Sequence, residues 1–366
     1  MKRILLLLLS LALLLPCLAG CTAKEEAVFT YDGYTITASQ YHYWVANYKT
    51  EILKYHGVRD SKDFWESELT DGKTMEEYYT PIIDGVIMNY CIAQALYRRY
   101  GLSISADVKK AIDDDIAEKI ELYGSRAEVN ASLAPLGINI SQLKQIYLLQ
   151  EKYGAVYEHL FGENGIMAAS ADEVKSYYEK NYHRMKYVVF ATTEPVLDKD
   201  GNPTFDAIGT PITVPCTKEE LARKQALMED LKTRAGLGTE QTFEELIKEY
   251  SLQDLKEYPR GFYVSSNEAS TFGADIVSAL QKLEVGQCAI VEEEGYLFLV
   301  RKYPLTAFDK LNGDDIEAQL SSLEYYASQE LSAALFSDLY DEVTVNEAVK
   351  AAHTLPLVAA NTDKNF

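Results

Sequence analysis

The chain has few side chains able to make or break bonds. Its five histidines, His42, His56, His159, His183 and His353, lie far apart, and none falls at the H-x-x-x-H spacing that sets two imidazoles on one helix face. No C-x-x-C joins Cys17, Cys21, Cys91, Cys216 or Cys288, so the wide spacings point to buried or unused thiols rather than a zinc site or disulfide framework. Asp198, Asp200 and Asp206 surround Gly201 in L-D-K-D-G-N-P-T-F-D. That carboxylate density suits calcium, but no glutamate closes an EF-hand loop, and a hairpin turn is the expectation. Neither metal nor cofactor is expected. The stretch V-E-E-E-G-Y-L-F-L-V-R-K, residues 291–302, runs from three glutamates through Gly295 into an apolar run and reads as a turn entering a buried strand. Position 297, inside that strand, is a leucine, which can neither donate, accept nor titrate.

The first residues are a targeting segment rather than fold. Lys2 and Arg3 precede an apolar run from Ile4 to Leu9 that resumes after Ser10 as far as Leu15, too short for a stable span and of the form of a secretory signal. It ends in L-A-G-C, Leu18 to Cys21, which resembles the lipobox of bacterial lipoproteins. The resemblance implies cleavage before Cys21 and lipidation of its thiol, and two acyl chains suffice for a stable anchor. The expected place is the extracytoplasmic face of the cell membrane. With 35 basic against 56 acidic residues the net charge is −21, and it becomes more acidic once Lys2 and Arg3 leave. Such a chain repels nucleic acid and anionic headgroups.

The remaining chain divides by hydrophobic period. Val28, Thr30 and Tyr31, the D-G turn at Asp32 and Gly33, and Ile36 form a small hairpin, after which Thr37 and Gln40 cap a helix to about Tyr55. Thr74 and Glu77 open a helix that passes Pro81 and stops at Gly101. Ser105 caps a helix with one stripe, Val108, Ile112, Ile116 and Ile120. Further helices are expected around Val129 to Leu133, after Ser141, and after Ser170 with Glu173. At Met185 the pattern changes to the strand-like M-K-Y-V-V-F. Helices follow from Thr217, at T-F-E-E (242–245) and over 274–283, with strands at G-F-Y-V and at Gly295. From Ile316 to Leu339 the apolar positions hold helical spacing for more than six turns. A helix so amphipathic needs a partner surface, and the N-terminal helices are expected to supply it.

Several stretches carry a common resemblance. The opening V-x-x-x-x-G-x-x-I-T, the segment Y-G-L-S-I-S-A-D-V-K-K-A-I with its later L-G-I-N-I-S-Q-L, and D-E-V-K-S-Y-Y-E-K-N-Y resemble the SurA and PrsA group of extracytoplasmic foldases. M-K-Y-V-V-F, T-F-E-E-L-I-K-E-Y-S, R-G-F-Y-V, F-G-A-D-I-V-S-A-L-Q-K-L-E-V-G-Q and G-Y-L-F-L-V-R-K, in that order, resemble a parvulin-type prolyl isomerase domain. The resemblance implies an α+β protein: a signal peptide over 1–20, a mostly helical lobe over 21–182, an inserted parvulin-like α/β domain over 183–305, a long C-terminal helix over 306–352 that completes the lobe, and a flexible tail over 353–366.

The departures from that pattern shape the functional expectation. Parvulins usually carry a histidine where this chain has Tyr187 and another where it has Leu297, and the loop after Y-S offers only Asp254 as its acidic residue. Rotation about an imide makes no covalent bond, so a cradle that holds the twisted bond and excludes water supports some activity without the histidines. Tyr187, Phe262 and Phe272 are expected to line an apolar proline pocket. The resemblance thus implies a chaperone that binds unfolded exported polypeptides, its membrane contact made through lipidated Cys21, with weak or absent isomerase activity. An active prolyl isomerase is the alternative. A solute-binding lipoprotein is a third, disfavoured by the missing βαβ alternation. Self-association as a homodimer is left open.

Overall fold

Capping and turn chemistry build the first unit. The computed structural model describes residues 25–366 apart from 207, 252–254, 269–271, 294, 314–315 and 317–318, so the leader, Cys21 and Asp254 lie outside the described residues. Strands β1 (Ala27–Tyr31) and β2 (Tyr34–Thr37) turn at Asp32 and Gly33, both at positive φ, as a two-residue hairpin requires. Thr37 then caps α1 (Ala38–His56): it accepts from the Gln40 N–H at 3.4 Å, and Gln40 returns a carbonyl to the Thr37 N–H at 3.0 Å. After α2 (Lys62–Glu66) and the ribbon β3 (Glu68–Thr70) and β4 (Lys73–Thr74), the Thr74 and Glu77 capping box starts α3 (Met75–Arg99). Helices α4 (Ala106–Tyr123), α5 (Arg126–Leu133) and α6 (Ile140–Phe161) follow, and α6 is capped by Asn139 rather than Ser141. Ile87, Cys91 and Ile92 of α3 pack with Leu143, Ile146 and Leu149 of α6 in one core.

The second unit is a sheet with a layer of helix on each face. Helix α7 (Ala171–Asn181), with its Ser170 and Glu173 capping box, leads into β5 (Tyr182–Ala191). The short strands β6 (Thr193–Pro195) and β7 (Thr213–Pro215) pair at the base of an excursion. Then come α8 (Lys218–Leu237), α9 (Glu240–Tyr250), β8 (Phe262–Ser265), α10 (Ala274–Lys282), β9 (Cys288–Glu293) and β10 (Tyr296–Tyr303). Four strands run in the order β8-β5-β10-β9, every neighbouring pair antiparallel. Met228 and Leu231 of α8 and Phe243 and Ile247 of α9 pack on one face against Val188, Leu297 and Leu299. Ile276, Val277 and Leu280 of α10 cover the other with Met185, Val264 and Val300. Burial on both faces explains the near-continuous apolar runs M-K-Y-V-V-F and L-F-L-V.

The fold is α+β with the sheet-containing segment inserted into the helical one. The described residues up to Ala168, together with Ser328–Phe366, form one compact unit, and those within Ala169–Ala327 form the other. The chain closes with α11 (Leu323–Leu339), β11 (Thr344–Val345) and α12 (Glu347–Lys350). Two expectations change here. The long C-terminal helix is interrupted: Gly313, Ile316 and Gln319 are helical, the chain then turns at Ser321 and Ser322, with the Leu323 N–H on the Leu320 carbonyl at 3.0 Å, and α11 starts at Leu323. Serines compete for backbone groups and favour such starts. The helical spacing read across that turn belongs to two cores: Leu320, Leu323 and Ala327 pack with Tyr178 and Tyr263, while Phe336 packs with the helical core.

The second change is that residues 353–366 are not a free tail. Leu355 and Val358 are buried in the helical core, and the buried Lys49 ammonium donates to the Val358 carbonyl at 2.7 Å while pairing with Asp60 at 2.8 Å. Asp363 accepts from Ser132 at 2.6 Å and from Tyr123 at 2.5 Å. Upstream, β11 pairs with β1, Phe29 opposite Val345, and Asp84 accepts from Tyr41 at 2.7 Å and from Lys350 at 2.5 Å. A segment this polar satisfies its backbone through side chains of other elements, which a one-dimensional hydrophobic pattern does not reveal. Leu355→Ala is therefore expected to destabilise the helical unit by about 2–5 kcal/mol in denaturant unfolding. A free tail would give no measurable change.

Candidate functional site

Side chains alternate across the sheet, so β5, β8 and β10 each place aromatic rings on the face shared with α10. Tyr187 of β5 stacks on Phe262 of β8 at 5.5 Å between centroids and meets Phe298 of β10 edge-on at 5.6 Å. Phe272, just before α10, closes the set at 5.8 Å from Tyr187 and 5.2 Å from Phe262. Edge-to-face contacts at such separations hold the rings in fixed orientation. Together with Tyr296, Ile276 and Glu293 they line a cavity of 390 Å³, within the range of ligand pockets.

One carboxylate enters this apolar box. Glu293 ends β9, and Gly273 supplies the space for it: a Cβ on Gly273 would lie 1.3 Å from Glu293 Oε1. Glu293 Oε2 accepts from the Ile276 N–H at 3.3 Å, satisfying one of the free amides at the start of α10 and complementing its positive end. Burial pushes the Tyr187 phenol above its ordinary pKa, so it stays protonated at neutral pH and able to donate.

The sequence-predicted site residues separate. Tyr187, Phe262 and Phe272 meet in this cavity. Leu297 does not: it pairs with Phe190 and Glu292, is 3% exposed, and packs on the opposite face among Val188, Met228 and Phe243. Tyr187 instead pairs with Val300, so Tyr187 and Leu297 stand on different faces of the sheet. Lys186 shares the Leu297 side of β5. Its ammonium is 1% exposed, contacts Glu244, lies 3.4 Å from Glu240 and sits 5.3 Å above the Tyr303 ring. Arg301 donates there to the carbonyls of Ala235 and Gly238. This polar group ties α8 and α9 to the sheet and has no access to the aromatic cavity.

The chain is similar to solved foldases and SurA-like chaperones, the group its motifs resemble. PrsA of Lactococcus lactis is 12% identical with a TM-score of 0.28, over 90% of this chain and 98% of that one. PrsA of Bacillus subtilis is 18% identical at 0.20, over 79% and 91%, and a SurA-like chaperone structure from Campylobacter jejuni is 11% identical at 0.26, over 88% and 98%. No family model matches the chain, and no curated protein does. Likeness at this level assigns neither activity nor partner.

Sequence reading passed over Tyr296 and Phe298 as part of a generic strand, and took Glu293 only as one of three glutamates before Gly295. The signal that finds the two rings is the period of two along β10 combined with its pairing to β5, and the β9–β10 pairing that sets Glu293 opposite Tyr296 adds the carboxylate. It also passed over a repeat in the excursion between β6 and β7: L-D-K-D-G-N-P and F-D-A-I-G-T-P. Each turn is held by an aspartate accepting two backbone N–H groups, Asp198 from Asp200 and Asn202, Asp206 from Ile208 and Thr210. Those bonds hold Asp198 below the usual carboxylate range. Among the described residues no cluster fit to hold a metal occurs.

Removing the counter-charges of a buried ammonium costs more than removing the ammonium. The double variant Glu240→Gln with Glu244→Gln is expected to destabilise the sheet unit by about 3 kcal/mol, against ~1 kcal/mol for Lys186→Met, which keeps the packed stem. Denaturant melts of both variants check the order.

Proposed function

We propose that this chain is a foldase-type chaperone that binds unfolded exported polypeptides at the extracytoplasmic membrane face and catalyses prolyl isomerisation weakly or not at all. The observation that carries the reading is the aromatic cavity of Tyr187, Phe262, Phe272 and Phe298. A preformed apolar box on a rigid sheet holds a proline ring or other apolar side chain at little ordering cost. Exposed apolar residues on the β6–β7 excursion, Leu197, Phe205, Ile208 and Ile212, add the kind of surface that contacts chains without fixed sequence.

Weak catalysis follows from what the cavity holds. An imide must be twisted over a barrier of ~18–20 kcal/mol for an ordinary amide, and rate gain requires groups that bind the twisted form better than the planar one. The leucine that takes an expected histidine's place faces away from the cavity. A second reading, an active isomerase, is favoured by the Tyr187 phenol and Glu293 carboxylate, which supply a donor and an acceptor at the cavity wall. The anchor supports either: no helix of the described residues is long and apolar enough to cross a membrane, and lipidation of Cys21 would tether the chain without one.

Aggregation and refolding of an unfolded client separate these readings. The chain is expected to suppress aggregation while leaving the proline-limited phase, ~10–100 s at 25 °C, unchanged, and Phe272→Ala is expected to weaken client binding about tenfold. Strong acceleration abolished by Tyr187→Phe would establish the isomerase instead. Cys21→Ser is expected to move the chain from the membrane fraction to the soluble one. Retention in the membrane fraction would contradict the lipid anchor.

A further inference from the structure

The cavity is not neutral. Of the described residues that line it, Glu293 alone carries a formal charge, and no lysine or arginine faces it. The carboxylate is half-buried among Phe272, Phe298 and Tyr296, and makes no ion pair with a described residue. The hydrogen bond from the Ile276 N–H to Oε2 leaves Oε1 against Gly273 without a donor among the described residues. A carboxylate partly removed from water in an apolar setting gains from a counter-charge. The rings reinforce the same preference, since the face of each aromatic ring attracts a cation within about 6 Å.

We propose that this cavity selects client segments in which lysine or arginine flanks proline or another apolar residue. The proposal rests on the client-binding reading and specifies its substrate. The apolar residue fills the box, while the neighbouring ammonium or guanidinium meets Glu293 and the exposed rim ring of Tyr296. An aspartate or glutamate in the same place meets repulsion from Glu293 and the electron-rich ring faces. Arginine is expected to bind at least as well as lysine, because its planar guanidinium both stacks on rings and pairs with a carboxylate through two N–H groups. The net charge of −21 favours basic clients at long range too, but that effect is diffuse, screened by salt and indifferent to which glutamate is removed.

Fluorescence anisotropy of labelled peptides with the full chain tests this directly. Four peptides share one proline-containing sequence and differ only beside the proline: lysine, arginine, norleucine or glutamate. The lysine and arginine peptides are expected to bind about tenfold tighter than norleucine, with glutamate weakest. Glu293→Gln keeps the acceptor for the Ile276 N–H and removes the charge, and it is expected to abolish the basic preference while norleucine binding persists. Gly273→Ala keeps the charge but displaces the carboxylate, and is expected to reduce the preference as well. Glu292→Gln, which removes an equal charge from an exposed neighbour, is expected to leave the preference intact. Equal loss in the Glu292 and Glu293 variants would overturn the proposal in favour of net charge. Binding of all four peptides alike, lost in Phe272→Ala, would overturn the basic preference and leave the client-binding reading standing. Failure of every peptide to bind would overturn both.

Discussion

The antiparallel pairing of β10 with β5 is the constraint on which the site depends. Because side chains alternate, the register that sets Val300 opposite Tyr187 and Leu297 opposite Phe190 decides the use of every residue on both strands. One set, Tyr187, Tyr296 and Phe298, goes to the face where α10 leaves a cavity. The other, Lys186, Leu297, Leu299 and Arg301, goes to the face sealed by α8 and α9. A slip of one residue would bury the aromatic set under α8 and expose the Lys186 ammonium to the cavity, so the packing of both faces enforces the register. The turn at Gly295, with φ of 84°, holds β9 and β10 in step and thereby fixes Glu293 beside the rings.

That division gives binding and stability to different faces of one sheet. On the sealed side the charged groups are engaged: Lys186 by two carboxylates, Arg301 by the carbonyls of Ala235 and Gly238. On the cavity side the rings are held by one another and by Ile276, and a carboxylate is left with an oxygen that no described residue donates to. Rigid strands make such a cavity cheap to occupy, since little order must be gained on binding. The same rigidity offers little differential grip on a twisted imide, which is why the geometry favours holding over turning over.

Local signals in the chain were informative where one residue decides one bond. The capping boxes at Thr37, Thr74 and Ser170 start helices as expected, because the side chain that satisfies the first N–H groups is adjacent in sequence. At α9 the cap is Thr239 rather than Thr242, two threonines at capping distance of which the structure uses the first. The three aromatic residues expected to line a pocket do line one, and Leu297, a side chain that can only pack, is buried core. What the chain did not reveal is that Leu297 lies on the opposite face, because facing depends on a register set between strands distant in sequence. The closing segment shows the same limit. Helical spacing across Ser321 and Ser322 looked continuous, and the polar residues after His353 looked free, because their partners, Lys49, Ser132 and Tyr123, are supplied by elements far upstream.

The central claim is that the aromatic face of the sheet, not the face bearing Leu297, holds the client. Photo-crosslinking from a benzophenone side chain tests it: placed at Phe298 of the cavity and, separately, at Leu237, an exposed residue ending α8. With an unfolded client present, the account predicts strong adducts from position 298 and background labelling from 237. Equal yields at the two positions, or adducts from 237 alone, would contradict it.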